Sequence, residues 1–130
     1  MSAEYPYDYA ILRVMPRVDR GEAVNVGVIV SCPDRQFLEA RIDLDEARLL
    51  ALDPTVDLPT VRETLNAIVA VCRGDAETGT LGAMPQRNRF HFLVTPRSTI
   101  VQPSAAHTGR THDPAATLHA LMLKLVLPPK

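Results

Sequence analysis

The sequence predicts an α+β fold. In it an antiparallel sheet, made of a three-stranded N-terminal meander plus one or two later strands, packs against three helices in the order βββααβ(β)α. Two observations support this prediction. Three β-rich segments separated by turn residues fill the first third of the chain, and apolar residues at helical spacing follow in the middle and at the end. A length of 130 residues fits one domain, so we expect a single domain over residues 1–130.

The predicted strands of the meander cover residues 7–17, 24–30 and 37–42. Gly21 lies in the first turn, where it can take a positive φ angle without steric cost. Along the first strand, alternation places one set of side chains on the same face, namely Tyr9, Ile11, Arg13 and Met15. Along the second strand the valines at 24, 26, 28 and 30 face one side, and Asn25 and Gly27 face the other.

Capping residues mark two helices in the middle of the chain. Asp43 as N-cap, with Glu46 three residues later, predicts a helix that ends before Pro54. Asp57 caps a second helix, whose apolar stripe includes Cys72 and which ends at Gly74.

The last third of the chain predicts a connector, one or two strands and a final helix. Residues 74–88 contain four glycines or prolines and are expected to form a mobile connector. Phe90 and Phe92 alternate within residues 89–94, which predicts a strand, and residues 99–101 form a short extended piece beside it. Asp113, which Pro114 follows, starts the final helix, and the prolines at 128 and 129 end it.

Composition excludes several classes of protein. A net charge of -1 excludes a generally basic, histone-like binder, and 46% hydrophobic residues exclude a disordered chain. No apolar run approaches the ~18 residues that a membrane helix needs. Without a signal-peptide pattern at the start, and with only two cysteines, we expect a cytoplasmic protein with reduced thiols.

Residues 95–113 are dense in hydrogen-bond donors and lie in the basic part of the chain. Residues 86–130 hold four arginines and two lysines against Asp113 alone, which indicates a region that could meet an anion. Arginine can grip a phosphate with two bonds, and hydroxyl groups complete such a cradle. The predicted ligand-binding residues of this segment are Arg97, Ser98, Thr99, Gln102, His107 and Arg110. The alternative is that Arg97 forms an internal ion pair.

Two clusters near the N-terminus have both a structural and a functional interpretation. Arg13, Arg17 and Arg20 surround the first hairpin. Asn25 and an arginine of this group, with Arg17 and Arg20 as the predicted ligand-binding residues, either line the same site as Arg97 or satisfy turn groups and acidic neighbours. The tyrosines at 5, 7 and 9 either stack on a base, as in single-strand binders, or close an edge of the sheet.

The histidines raise the question of catalysis. His107 and His112 are weak candidates for a general acid or base that would work with Arg97 in phosphodiester chemistry. Their spacing with Asp113 fits no class of metal site, so we predict neither a metal nor a cofactor. No helix carries a basic stripe, so sequence-specific DNA binding is not expected.

Two stretches of the sequence resemble the signatures of the bacterial domain-of-unknown-function 3037 family. The N-terminal stretch consists of residues 13–17 (RVMPR) and 20–29 (RGEAVNVGVI). The C-terminal stretch consists of residues 89–91 (RFH), 96–99 (PRST), 102–104 (QPS) and 107–109 (HTG). The resemblance implies no established activity, cofactor or catalytic residue. It does imply a protein partner, because members are encoded beside kinases similar to the HipA type.

Three functional hypotheses follow from the sequence. The first is a small binding or regulatory module that acts with a protein partner and holds a phosphate-bearing ligand through the donor-rich loop. The second is a phosphoesterase or nuclease that uses His107 or His112 with Arg97. The third is a purely structural subunit of a complex. The sequence favours a protein that is not an enzyme, since it contains no recognisable catalytic set.

Overall fold

The computed structural model of the chain describes residues 3–97 and 99–128. The strands within these residues are β1 (Tyr5–Val14), β2 (Val24–Cys32), β3 (Phe37–Ile42), β4 (Val101–Pro103) and β5 (His107–Thr111). The helices are α1 (Glu46–Leu52), α2 (Leu58–Arg73), α3 (Gly79–Gly82), α4 (Gln86–Leu93) and α5 (Pro114–Leu125). Three short 3₁₀ turns lie at Val18–Arg20, Pro33–Arg35 and Ala76–Thr78. The predicted α+β class and the N-terminal meander are confirmed.

The strands form one antiparallel sheet with β1 at its centre. The order is β3-β2-β1-β4, and β5 pairs with the first half of β1, so β4 and β5 lie end to end along the same side. Ser104 fills the gap between them: its N–H donates to the Ile11 carbonyl, and the Ile11 N–H donates to Ser104 Oγ, both at 2.8 Å. Tyr9 therefore lies between β2 and β5, whereas Tyr5 and Tyr7 pair with β5 alone, beyond the last pairing of β1 with β2 at Asp8.

Helices cover both faces of the sheet. On one face, α2 packs against the strands together with Leu49 of α1 and Phe90 of α4, and this layer holds the larger core cluster. On the other face, Leu118, Met122 and Val126 of the last helical segment pack on Val28 and Val30. Among the helices of the described residues, none combines the length and apolar character needed to cross a bilayer.

A bulge in β2 changes which side chains share a face. The register between β1 and β2 shifts between Leu12 and Arg13, so Val26 and Gly27 both face the α2 layer. Asn25 faces α5 instead. The predicted single face of four valines is therefore wrong, and so is the predicted common face of Asn25 and Gly27. A Cβ on Gly27 would lie 2.6 Å from the Arg41 carbonyl oxygen, so this glycine permits the close approach of β3.

The strand predicted at residues 89–94 is wrong, because these residues belong to α4 and the turn after it. Phe90 and Leu93 are buried at a spacing of three residues, as on a helix, whereas Phe92 is 47% exposed. The predicted connector at residues 74–88 holds a 3₁₀ turn, α3 and the start of α4.

Element boundaries were predicted well for two helices and less well elsewhere. Asp57 and Asp113 cap α2 and α5 as expected, and Gly74 ends α2 with a positive φ angle of 74°. The first helix is capped by Asp45 and not by Asp43, since the Asp45 side chain accepts from the Arg48 N–H. The donor-rich segment, predicted as a loop with one short extended piece, contains β4 and β5.

Candidate functional site

Arg97, the centre of the predicted anion site, contacts the end of α4. Its Nη2 donates to the Phe92 carbonyl at 2.6 Å, and its guanidinium lies 4.9 Å from the centroid of the Phe92 ring. It also lines an apolar hollow of about 160 Å³ with residues of α2 and α4. The carbonyl that Arg97 satisfies is one of the last in α4, so the side chain acts as a C-terminal cap of that helix.

The structure does not bring the other N-terminal candidates to Arg97. Asn25 points to the opposite face of the sheet, where its Nδ2 donates to the Leu125 carbonyl at 3.0 Å. Arg20 forms a salt bridge with Glu22 beside it in the first turn, and Arg17 Nε lies 3.7 Å from Asp53 Oδ2. Both of these arginines have the structural contacts that the sequence offered as an alternative.

The remaining candidates of the donor-rich segment are spread along β4 and β5. Arg110 and His112 contact the N-terminal backbone, at the carbonyls of Glu4 and Ala3. Thr99 Oγ1 donates to the Val101 carbonyl, and Ser98 lies outside the described residues. His107 is on the α5 side of the sheet. The structure therefore does not gather His107, His112 and Arg97 into one site.

Three polar side chains do come together, in a row across the sheet. Arg13 on β1 lies directly opposite Asn25 on β2 and directly opposite Gln102 on β4. Residues that face each other across strands share a face, and this face is the one that α5 partly covers. Gln102 Nε2 donates to the Thr99 carbonyl, just as Asn25 Nδ2 donates to a carbonyl at the end of α5. Both amide groups are thereby held in place on either side of Arg13.

Arg13 is under-satisfied in this position. Its Nη2 is 3.4 Å from the Pro103 carbonyl, a long contact, and its buried Nε has no hydrogen-bond partner within residues 3–97 and 99–128. No carboxylate of those residues forms a salt bridge with it. A buried donor without an acceptor costs about 1–3 kcal/mol, so the native protein holds a guanidinium that an added acceptor would stabilise.

Aromatic rings continue the same face along β1. The rings of Tyr7 and Tyr9 are stacked at 6.2 Å, and His107 on β5 lies 5.2 Å from Tyr9. Tyr7 lies so close over Gly109 that a Cβ there would be 2.6 Å from the Tyr7 hydroxyl oxygen. Burial and the neighbouring Tyr9 raise the pKa of Tyr7, so its hydroxyl stays protonated at neutral pH.

These residues form a surface that we name the open sheet face. It consists of Tyr7, Tyr9, Ile11, Arg13, Asn25, Gln102 and His107. All of these side chains except that of the exposed His107 are partly buried. Asp8, which alternates with them on β1, points to the other face and is paired there with Arg87. The open sheet face thus offers one guanidinium, two amides and the exposed ring of His107, while Tyr7 and Tyr9 also pack against the core cluster under α5.

The burial and spacing of side chains bear on the reactivity of the two cysteines and on metal binding. Burial raises the pKa of the Cys72 thiol to about 12 although Arg89 opposes the shift, and burial also raises the pKa of Cys32. Neither thiol is a nucleophile in the folded protein. Within the described residues, no three His, Cys, Asp or Glu side chains cluster closely enough to hold a metal ion.

The chain matches the sequence model of one protein family over most of its length. The family described as "Protein of unknown function (DUF3037)" matches residues 9–126. The chain belongs to this family. The match confirms the resemblance seen in the sequence. Comparisons with curated proteins and with solved structures find no match.

The two stretches that carry the likeness to DUF3037 meet on the open sheet face. Arg13 and Asn25 come from the N-terminal stretch, and Gln102 and His107 come from the C-terminal stretch. The sequence pointed to Asn25, Gln102 and His107, and it named Arg13 only as one of several arginines around the first hairpin. A signal was available, because Tyr9, Ile11 and Arg13 have the same parity on a strand and therefore share one face.

Proposed function

We propose that this DUF3037 protein is a binding module and that Arg13 holds a phosphate group of its ligand on the open sheet face. The observation that carries the proposal is the buried Nε of Arg13, which lacks an acceptor among the described residues. Phosphate oxygens accept two parallel bonds from a guanidinium, a geometry that carbonyl groups do not reproduce. The proposal moves the predicted anion site from Arg97 to Arg13.

The neighbours of Arg13 support a specific site. Asn25 and Gln102 each use an amide N–H for a backbone carbonyl, which fixes their orientation on both sides of the guanidinium. The fixed amides flank the guanidinium without hydrogen-bonding to it, so they are placed to line a site around Arg13. Arg17 and Arg20 differ from Arg13 because each has a carboxylate partner, and Arg97 differs because it has a carbonyl at 2.6 Å, shorter than the 3.4 Å contact of Arg13 with the Pro103 carbonyl.

The aromatic rings indicate that the ligand also contains a planar ring. Tyr9 is four residues from Arg13 along β1, a span of about 13 Å at the usual rise of a strand. His107 beside Tyr9 is exposed and offers a ring face on which a base can stack. A nucleoside polyphosphate combines a base and phosphates over such a distance, and we take it as the ligand class.

Calorimetric titration tests the site. We expect ATP to bind, inorganic tripolyphosphate to bind more weakly, and Arg13→Gln to weaken both by roughly tenfold or more. Arg97→Gln is the matched control, since it removes the same charge from the opposite face and should leave affinity unchanged. Loss of binding in Arg97→Gln with full binding in Arg13→Gln would return the site to the donor-rich loop. A short oligonucleotide that binds where ATP does not would identify a single-strand binder instead.

We also propose that the module acts with a protein partner, for which the family resemblance implies a kinase similar to the HipA type. Co-purification with the product of a neighbouring gene tests this part. A stoichiometric complex that forms with Arg13→Gln as well as with the native chain would separate the partner surface from the ligand site. A native chain that binds neither ATP nor tripolyphosphate but still forms a stoichiometric complex would favour the purely structural role.

A further inference from the structure

The outer edge of β3 is an unpaired row of backbone groups. The Asp43 N–H donates to the Val26 carbonyl, which means that residues of odd number in β3 point their backbone groups at β2. The N–H and C=O groups of Leu38, Ala40 and Ile42 therefore point away from the sheet. Just before β3, the Gln36 carbonyl accepts from Gln86 Nε2 at 3.1 Å. For Leu38, Ala40 and Ile42, the hydrogen bonds among the described residues include no partner on this side.

β3 is also the more regular of the two edge strands of the sheet. The opposite edge is broken between β4 and β5 at residues 104–106, and Pro103 lies within it. β3 contains neither a proline nor a bulge, and its register with β2 is regular from Phe37 to Ile42. A regular edge strand is a template for another strand unless something covers it.

We propose that two copies of this chain pair through β3, with the strands antiparallel and a two-fold axis at Ala40. In that register Ala40 faces its own equivalent, and Leu38 faces Ile42 of the second copy. All of these residues point their backbone groups outward, so each copy donates to and accepts from the other. The sheets of both copies would join into one continuous antiparallel sheet. The inference does not depend on the proposed ligand site, which lies on a different surface.

Charge selects this register over its nearest competitor. Outward-pointing groups can meet in two registers that pair five residues of each strand. One places Glu39 against Glu39 of the second copy, where the like charges repel. The other, centred on Ala40, places Glu39 opposite Arg41 of the second copy, and it does so twice because of the symmetry. The strand is therefore complementary to itself in charge as well as in backbone groups.

The surroundings of the edge leave room for the second copy. Two concavities of about 290 and 220 Å³ lie between β3 and α2 along this edge. The α2 side chains that line them include Asn66 and Val69. A two-fold axis perpendicular to the sheet keeps both α2 helices on one face, so α2 of the second copy would approach these concavities. Glu39 and Arg41 lie 3.9 Å apart within one chain, and at 46% and 40% exposure they can also reach the charges of the second copy, so the pairing joins four alternating charges.

The oligomeric state of the full chain tests the proposal. Sedimentation analysis should give twice the mass of 14.3 kDa for the native protein. Glu39→Arg and Arg41→Glu each place like charges opposite one another twice, so each should give the mass of one chain. The double exchange of Glu39→Arg with Arg41→Glu restores opposite charges and should restore the doubled mass. Glu77→Arg, an exposed change of the same charge in a distant turn, should leave the doubled mass unchanged.

Two results would overturn the proposal. One is a native protein that remains a single chain up to millimolar concentration. The other is a doubled mass that persists in both single charge reversals, since copies that associate elsewhere do not sense Glu39 and Arg41. Circular dichroism of each variant separates dissociation from unfolding, because both side chains are partly exposed and belong to neither core cluster.

Discussion

Arg89 Nη1 donates to the Cys72 carbonyl at 2.9 Å and to the neighbouring Val71 carbonyl at 2.8 Å. Both carbonyls belong to the last turn of α2. The Val71 carbonyl also accepts from the Gly74 N–H at 3.1 Å, whereas the hydrogen bonds of the described residues give the Cys72 carbonyl no other donor. Arg89 Nε donates in addition to the Met84 carbonyl, so one buried guanidinium joins the end of α2, the turn before α4 and α4 itself. The side chain is only 8% exposed, yet its role is structural.

We expect Arg89→Met to lower the free energy of unfolding by about 3 kcal/mol, because it leaves the Cys72 and Met84 carbonyls of a buried junction without a donor and removes one of two donors from the Val71 carbonyl. Denaturant unfolding followed by circular dichroism measures the loss. Arg48→Met is the control, since Arg48 is exposed and should tolerate the change within about 0.5 kcal/mol. Equal stability of the two variants would contradict the capping role.

The N-cap of α1 can be located by a pair of substitutions. Asp45→Ala removes the acceptor of the Arg48 N–H, 3.2 Å away, and should cost about 1 kcal/mol. Asp43→Ala should cost little, because Asp43 precedes the helix. Thermal unfolding of both variants measures the difference, and the opposite order of stabilities would place the helix start at Asp43.

The ion pair of Glu46 and Arg62 makes stability depend on pH. Two hydrogen bonds from Arg62, at 2.6 and 2.8 Å, lower the pKa of Glu46 below its ordinary value of 4.5. The unfolded chain therefore takes up this proton more readily than the folded one, and the stabilising contribution, present above pH 4.5, is lost as the pH falls through the lowered pKa.

Acid unfolding measures this contribution. The stability of Glu46→Gln should fall less steeply with decreasing pH than the stability of the native protein. Glu63→Gln is the control on the exposed side of α2, and it should leave the acid dependence unchanged. An identical acid profile for Glu46→Gln and the native chain would mean that the ion pair does not contribute.

Both thiols should be inert in the folded protein. Cys72 has a pKa raised to about 12, and Cys32 is buried with its pKa also raised, so neither offers a thiolate to a reagent. We expect no labelling by an aromatic disulfide at mildly alkaline pH until denaturant is added, and then labelling of two thiols per chain. Rapid labelling of the native protein would contradict the burial.

Much of the fold could be predicted because local signals agreed with tertiary structure. The caps at Asp57 and Asp113 and the stop at Gly74 are properties of a few neighbouring residues. The alternation of Phe90 and Phe92 led to a wrong prediction of a strand, because alternation over so short a stretch also fits one turn of a helix. β5 was missed because its residues are polar and it is held by backbone bonds to β1.

The site was harder to predict because it depends on register between strands. Arg13 meets Asn25 and Gln102 through pairings that span many residues of chain, and a bulge in β2 decides the face of Asn25. A single sequence does not reveal either feature. The sequence does show where hydrogen-bond donors are dense. It therefore favoured Arg97, which lies in the segment richest in donors.

The most direct measurement of the ligand site follows the Nε–H resonances of the arginines during a titration with tripolyphosphate. The Nε–H resonance of Arg13 should shift when a phosphate binds its guanidinium, while the Nε–H resonance of Arg97 stays in place. Movement of Arg97 with an unchanged Arg13 would contradict the account and return anion binding to the other side of the sheet.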